Sequence, residues 1–216
     1  MMKSIISDVM NFPNGDEPMR FTACFVSMLM RAEGIAGSKM HQALYDLYMA
    51  VTGFGFLQAD LSCDAYAQEY WNQTSNVILR GFDWYIGFAM DYAGYDFEEL
   101  IFPSEQKKDA AFAKIKSSID RDIPVLALFG RVYQWVLITG YDESGTLYGL
   151  NGSSVWGKPE AEPAGYDENG LFFMPDWYEQ TGHAFVLGAK KEPAVTMQDA
   201  CKRGKRIMEH MKEIKF

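Results

Sequence analysis

The sequence predicts an α+β fold, with a helical N-terminal half, a β-rich C-terminal half and a closing helix. Three observations carry that expectation. Phe25 to Glu33 is almost continuously apolar and ends at Gly34, the pattern of a buried helix with a glycine C-cap. Ile123 to Asn151 holds three segments rich in Val, Leu, Ile and aromatics, parted by glycine-containing turns, which is the pattern of an antiparallel meander. Thr196 stands three residues before Asp199, ahead of an amphipathic run, as at a capped helix start.

The 216 residues suffice for one good-sized domain, and no internal repeat, low-complexity tract or flexible linker divides them. The expectation is a single domain over residues 1–216. Within it we place a helical lobe at about 20–121, a β lobe at about 122–190 and a C-terminal helix at about 196–213. Hydrophobic residues at 48% and aromatics at 15% supply a core and argue against disorder. A net charge of −9 offers nucleic acid and anionic membranes no basic face and is compatible with a cationic ligand. Cys24, Cys63 and Cys201 lie far apart with no paired or metal-type spacing, so no disulfide framework, metal or cofactor is expected, and the sparse thiols fit a reducing compartment. The N-terminus places Asp8 inside what would be a signal core, and no apolar run is long enough to span a bilayer. A cytoplasmic protein is expected.

Taken in order, residues 1–19 carry turn chemistry at Asn11, Pro13, Asn14, Gly15 and Pro18 and read as irregular. Cys24 falls in the expected first turn of the buried helix, where backbone N–H groups and the positive end of the dipole favour a thiolate. Ser38 to Val51 predicts a second helix, stopped by Thr52-Gly53-Phe54-Gly55-Phe56. Ser62 can cap a helix to Trp71, Gly81 to Tyr92 is an aromatic-rich segment broken at Gly94, and Ser104 opens a helix with Phe112, Ile115 and Ile119 in phase. In the meander, Pro124 can only open its strand or lie on an edge, and Gly145 supplies the positive φ of the turn after Asp142. Gly152 to Gly170 is a surface excursion, Leu171 to Met174 and Ala184 to Gly188 are further strands, and the last helix should bury Met197, Cys201, Ile207, Met208 and Met211.

Cys24 followed by Phe-Val-Ser-Met-Leu-Met-Arg-Ala-Glu-Gly34 resembles the cysteine helix of the peptidase C39-like group of papain-like enzymes. Gln134-Trp-Val-Leu-Ile-Thr-Gly-Tyr-Asp142 with Leu147-Tyr-Gly-Leu-Asn151 resembles that group's histidine strand and the Asp/Asn strand after it. The Gly53-Phe-Gly-Phe56 turn and the overall spacing look more like the N-terminal domain of butirosin biosynthesis protein H, a subset associated with acyl transfer onto an aminoglycoside. The resemblance implies a papain-like fold with Cys24 facing Gln134 and Asn151 across an interlobe cleft. Two departures stand out. Gln134 occupies the place of the base histidine, and a carboxamide exchanges no proton near neutral pH. The family's upstream oxyanion glutamine has no clear counterpart in Pro18-Met-Arg-Phe-Thr-Ala23.

Among the histidines, His210 reads as solvated and His41 as structural, while His183 opens the last strand and is the alternative base. Tyr133, Trp135 and Trp156 are candidate lining residues of a substrate groove, with plain core as the competing role. The acids around Asp64, Asp83, Asp91, Asp96, Glu98 and Glu99 are compatible with an amine-bearing ligand or with ordinary surface. Two functional readings follow. In one, Cys24 carries an acyl group in an amide hydrolase or acyltransferase, with an acyl-carrier protein as a conceivable partner. In the other, a catalytically impaired pseudoenzyme binds a small molecule or peptide in the same cleft.

Overall fold

The computed structural model describes residues 3–9, 20–56, 85–102, 108–129, 134–150, 165–168 and 170–213. Its first half contains β1 (Lys3–Ile5), α1 (Arg20–Ala32), α2 (Ser38–Thr52), a 3-10 turn (Phe54–Phe56), α3 (Tyr85–Ala93), β2 (Tyr95–Ile101) and α4 (Lys108–Asp120). The second half contains β3 (Val125–Phe129), β4 (Gln134–Asp142), β5 (Leu147–Leu150), β6 (Phe172–Met174), α5 (Trp177–Gln180), β7 (Thr181–Lys190) and α6 (Met197–Glu213). The expected α+β class is what these elements form. The expected helix from Ser62 to Trp71 lies outside the described residues.

The meander expected from Ile123 to Asn151 is present as β3, β4 and β5, and it sits in a sheet ordered β2-β7-β3-β4-β5-β6. Pairs β7–β3, β3–β4, β4–β5 and β5–β6 are antiparallel. β1 pairs antiparallel with β4 at Gly140 to Asp142. Since β5 occupies one edge of β4 over Leu137 to Tyr141, β1 takes the edge that β3 leaves. Two strands thus come from the half that reads as helical or irregular. β1 is too short to show a period, and β2 interleaves Asp96, Glu98 and Glu99 with its apolar residues, a composition that suits a sheet edge.

Register assigns the sheet's two faces. Val125, Ala127, Val136, Ile138, Ala184 and Val186 pack with Ala111, Ile115 and Ile119 of α4 in one apolar cluster. Directly paired residues share a face and successive residues alternate, so Leu126, Trp135, Leu137, His183 and Phe185 belong to the other face. There Phe21 of α1 stands edge-on to Trp135, with ring centroids 5.1 Å apart. α1 is apolar over most of its length because nearly all of it, Phe21 to Met30, is buried. It closes at Gly34, whose φ of 64° lets Ile35 N–H reach back to Met30 O at 2.8 Å, as the C-cap reading requires.

The chain folds as two compact units: Met1–His41 with Phe97–Leu187, and Gln42–Asp96 with Gly188–Phe216. α1, α4 and most of the sheet belong to the first. In the second, Thr196 and Asp199 form the reciprocal cap expected of them, with Asp199 N–H donating to Thr196 Oγ1 at 3.3 Å and Thr196 N–H to Asp199 Oδ2 at 3.1 Å. The buried side of α6, however, is Ala200, Arg203, Gly204 and Ile207, whereas Met197, Cys201 and Met208 are exposed. The expected stripe is thus borne out at Ile207 and corrected at Met197, Cys201 and Met208, while the side chain of Met211 lies outside the described residues. Sorting by hydrophobicity missed two facts. Gly204 lets the Phe56 ring approach where a Cβ would stand, and Arg203 is buried because its Nε donates to Thr52 O and its guanidinium lies over Phe88. No described helix is long and apolar enough to cross a membrane.

Candidate functional site

Of the residues that carry the resemblance, Cys24 lies within α1 and Trp135 on the sheet face that α1 covers. Packing of Phe21 on Trp135 extends α1 back to Arg20, so Cys24 is its fifth residue. The expectation that Cys24 lies in the first turn is therefore corrected. The N–H groups and dipole end invoked to favour a thiolate act at Arg20, Phe21 and Thr22, while Cys24 lies one turn deeper and fully buried.

Gln134 opens β4, its backbone in register with Phe129 of β3. Tyr133, Asn151 and Trp156, and the side chain of Gln134, lie outside the described residues, as do Cys63 and the side chain of His210. Trp135 is enclosed, 1% exposed, with Phe21 at its edge and Phe185 tilted on it at 5.9 Å. His41 is buried, its Nε2 2.9 Å from Ser27 Oγ, which fixes the start of α2 against α1.

His183 lies in one register row with Leu128 and Trp135. β3 intervenes between its strand and β4, so it stands two strands away from Trp135, on the α1 side. Its Nδ1 is 2.7 Å from Glu99 Oε1, and its ring lies parallel to Phe185. An imidazole held by a carboxylate can accept and release protons, but the partner that orients this one comes from β2, not from β5. Other acids flagged by sequence are likewise engaged, Glu98 with Lys114, and Asp91 and Asp96 with Lys191, while Asp64 and Asp83 lie outside the described residues. Among the described residues no group of three or more His, Cys, Asp or Glu side chains is placed to hold a metal ion.

One residue escaped the sequence reading. Arg20 shares its helix side with Cys24, one turn on. Burial lowers the Arg20 pKa, while Cys24 and Tyr166 near it act to raise it, and the guanidinium remains cationic at neutral pH. The signal was available as an Arg–Cys pair at i, i+4 spacing.

The chain matches no family model, no curated protein and no solved structure.

Proposed function

We propose that this chain is a non-catalytic relative of papain-like cysteine enzymes of the C39 and butirosin-H kind, binding a small molecule or peptide beside the start of α1. The position of Cys24 carries this reading: it is fully buried, one turn into α1, behind Phe21 and Thr22. A working thiolate needs a helix start or a cation, access for its substrate and a base. Gln134, standing where the base histidine is expected, supplies none of the proton exchange.

Iodoacetamide labelling read by mass spectrometry tests the proposal. Cys201 is exposed and should label at the rate of a free thiol. Cys24 should label only as the protein unfolds in denaturant. Native-state labelling of Cys24 that saturates well below the free-thiol pKa of about 8.5 would overturn the reading. It would favour the second one, an amide hydrolase or acyltransferase working through Cys24. The charge of Arg20 beside that thiol speaks for the second reading.

A further inference from the structure

Resting on the ligand-binding reading above, we propose that the first turn of α1 and the start of β4 hold a carboxylate-bearing small molecule through the Trp135 indole N–H and the Thr22 hydroxyl. Thr22 is fully buried and Trp135 almost so, yet neither Thr22 Oγ1 nor Trp135 Nε1 has a hydrogen-bond partner. Folded proteins satisfy nearly all such atoms, and the exceptions concentrate where function uses them. The two come from elements in contact, since Trp135 packs against Phe21 and Thr22 is the next residue of α1.

The donor types select the ligand. An indole N–H can only donate, and a threonine hydroxyl can donate to a second oxygen. A carboxylate has two acceptor oxygens, one for each donor. The charge around them favours an anion over a neutral carbonyl: the positive end of the α1 dipole faces this turn, and Arg20, its first residue, carries a partly buried guanidinium. Phe185 on the far side of the indole holds the ring in place.

The test uses the full chain and two variants: Thr22→Val, which keeps shape and deletes the hydroxyl, and Trp135→Phe, which deletes the N–H together with part of the ring. Thermal midpoints are measured with sodium formate, acetate and N-acetylglycinate, each against equal sodium chloride, and with neutral N-acetylglycinamide. At least one carboxylate should raise the wild-type midpoint above its chloride control, the neutral amide should not, and each variant should lose the rise. Without additive Thr22→Val should melt at or above the wild type, because an unpartnered buried polar atom has been removed, whereas Trp135→Phe also leaves a cavity and should melt lower. The proposal falls if no carboxylate of the series raises the wild-type midpoint, or if the rise survives in both variants. It falls too if Thr22→Val melts well below the wild type, since the hydroxyl would then be bonded to water. The two proposals separate cleanly. Carboxylate stabilisation alongside rapid native labelling of Cys24 would overturn the non-catalytic reading alone, whereas an inert Cys24 without carboxylate stabilisation would overturn the carboxylate site alone.

Discussion

Replacing Asp142 by Asn should cost the protein much of its stability at neutral pH and little of it in acid. Asp142 ends β4, 3% exposed, and its carboxylate builds the turn into β5. Oδ1 accepts Ser144 N–H at 2.9 Å, Ser144 O–H at 2.6 Å and Thr146 N–H at 3.1 Å, while Oδ2 accepts Tyr148 O–H at 2.9 Å. Burial by itself would raise the pKa of this carboxyl, but these donors outweigh it and hold it below the ordinary 3.8. Burial first, then Asp142, pushes Tyr148 up to about 12, so its hydroxyl remains a donor. Bonds to a charged acceptor contribute about 1.5–3 kcal/mol each and do not add, which puts the loss for Asp142→Asn at about 2–4 kcal/mol at neutral pH. A carboxyl whose folded pKa is depressed stabilises above its unfolded pKa and loses that contribution as pH falls through the folded value. The gap between wild type and variant should therefore be full at about pH 7 and 5 and shrink below about pH 4. Urea midpoints followed by tryptophan fluorescence report it, since Trp177 Nε1 donates to Gly145 O of the same turn at 3.0 Å. A gap at about pH 3 as wide as at pH 7, or none at pH 7, would refute the account.

Other substitutions test the register and the core. Gly149→Ala puts a Cβ onto the Leu137 carbonyl oxygen and the Phe172 ring, and should lower stability by about 1–3 kcal/mol; an unchanged thermal midpoint would reject the β4–β5 register. Ser27→Ala removes the hydroxyl beside the buried His41 and should cost about 1–2 kcal/mol in a urea titration. Ile115→Ala, at the centre of the α4 contact with the sheet, should cost about 2–5 kcal/mol by the same measurement. Met208→Glu should change the midpoint by less than about 0.5 kcal/mol while Ile207→Glu unfolds the helix packing, and the reverse order would restore the stripe expected from sequence.

The parts of the fold that could be read from sequence are those where a local rule and the tertiary structure demand the same thing. Gly34 ends α1 and Gly145 turns β4 into β5 with φ values of 64° and 84°, and β3 begins at the residue after Pro124. Where packing decides, the reading falls short. Nothing in Arg20-Phe-Thr-Ala23 marks a helix start, yet Phe21 against Trp135 draws these residues into α1 and moves Cys24 a turn inward. Arg203 is buried because a carbonyl and a ring receive it, a fact no periodicity contains. β2 hides because its acids answer to partners far along the chain, Glu99 to His183 and Glu98 to Lys114.

The same division explains why a resemblance can be legible where an activity is not. In the stretch from Gln134 to Leu150, the recognisable residues have structural reasons of their own. A Cβ at Gly140 would meet Ile5 and Ser4 of β1, and one at Gly149 would meet the backbone of β4. Asp142 caps the turn, Tyr148 donates to it, and Trp135 fills the space beneath α1. A chain that has this framework shows the resemblance whatever its chemistry. Function has to be sought in what the framework does not need. By that criterion Cys24, a small side chain deep in a packed helix, says little. The unpartnered donors of Thr22 and Trp135 say more, because burying them without a partner works against folding and valine would fill the place of Thr22 as well.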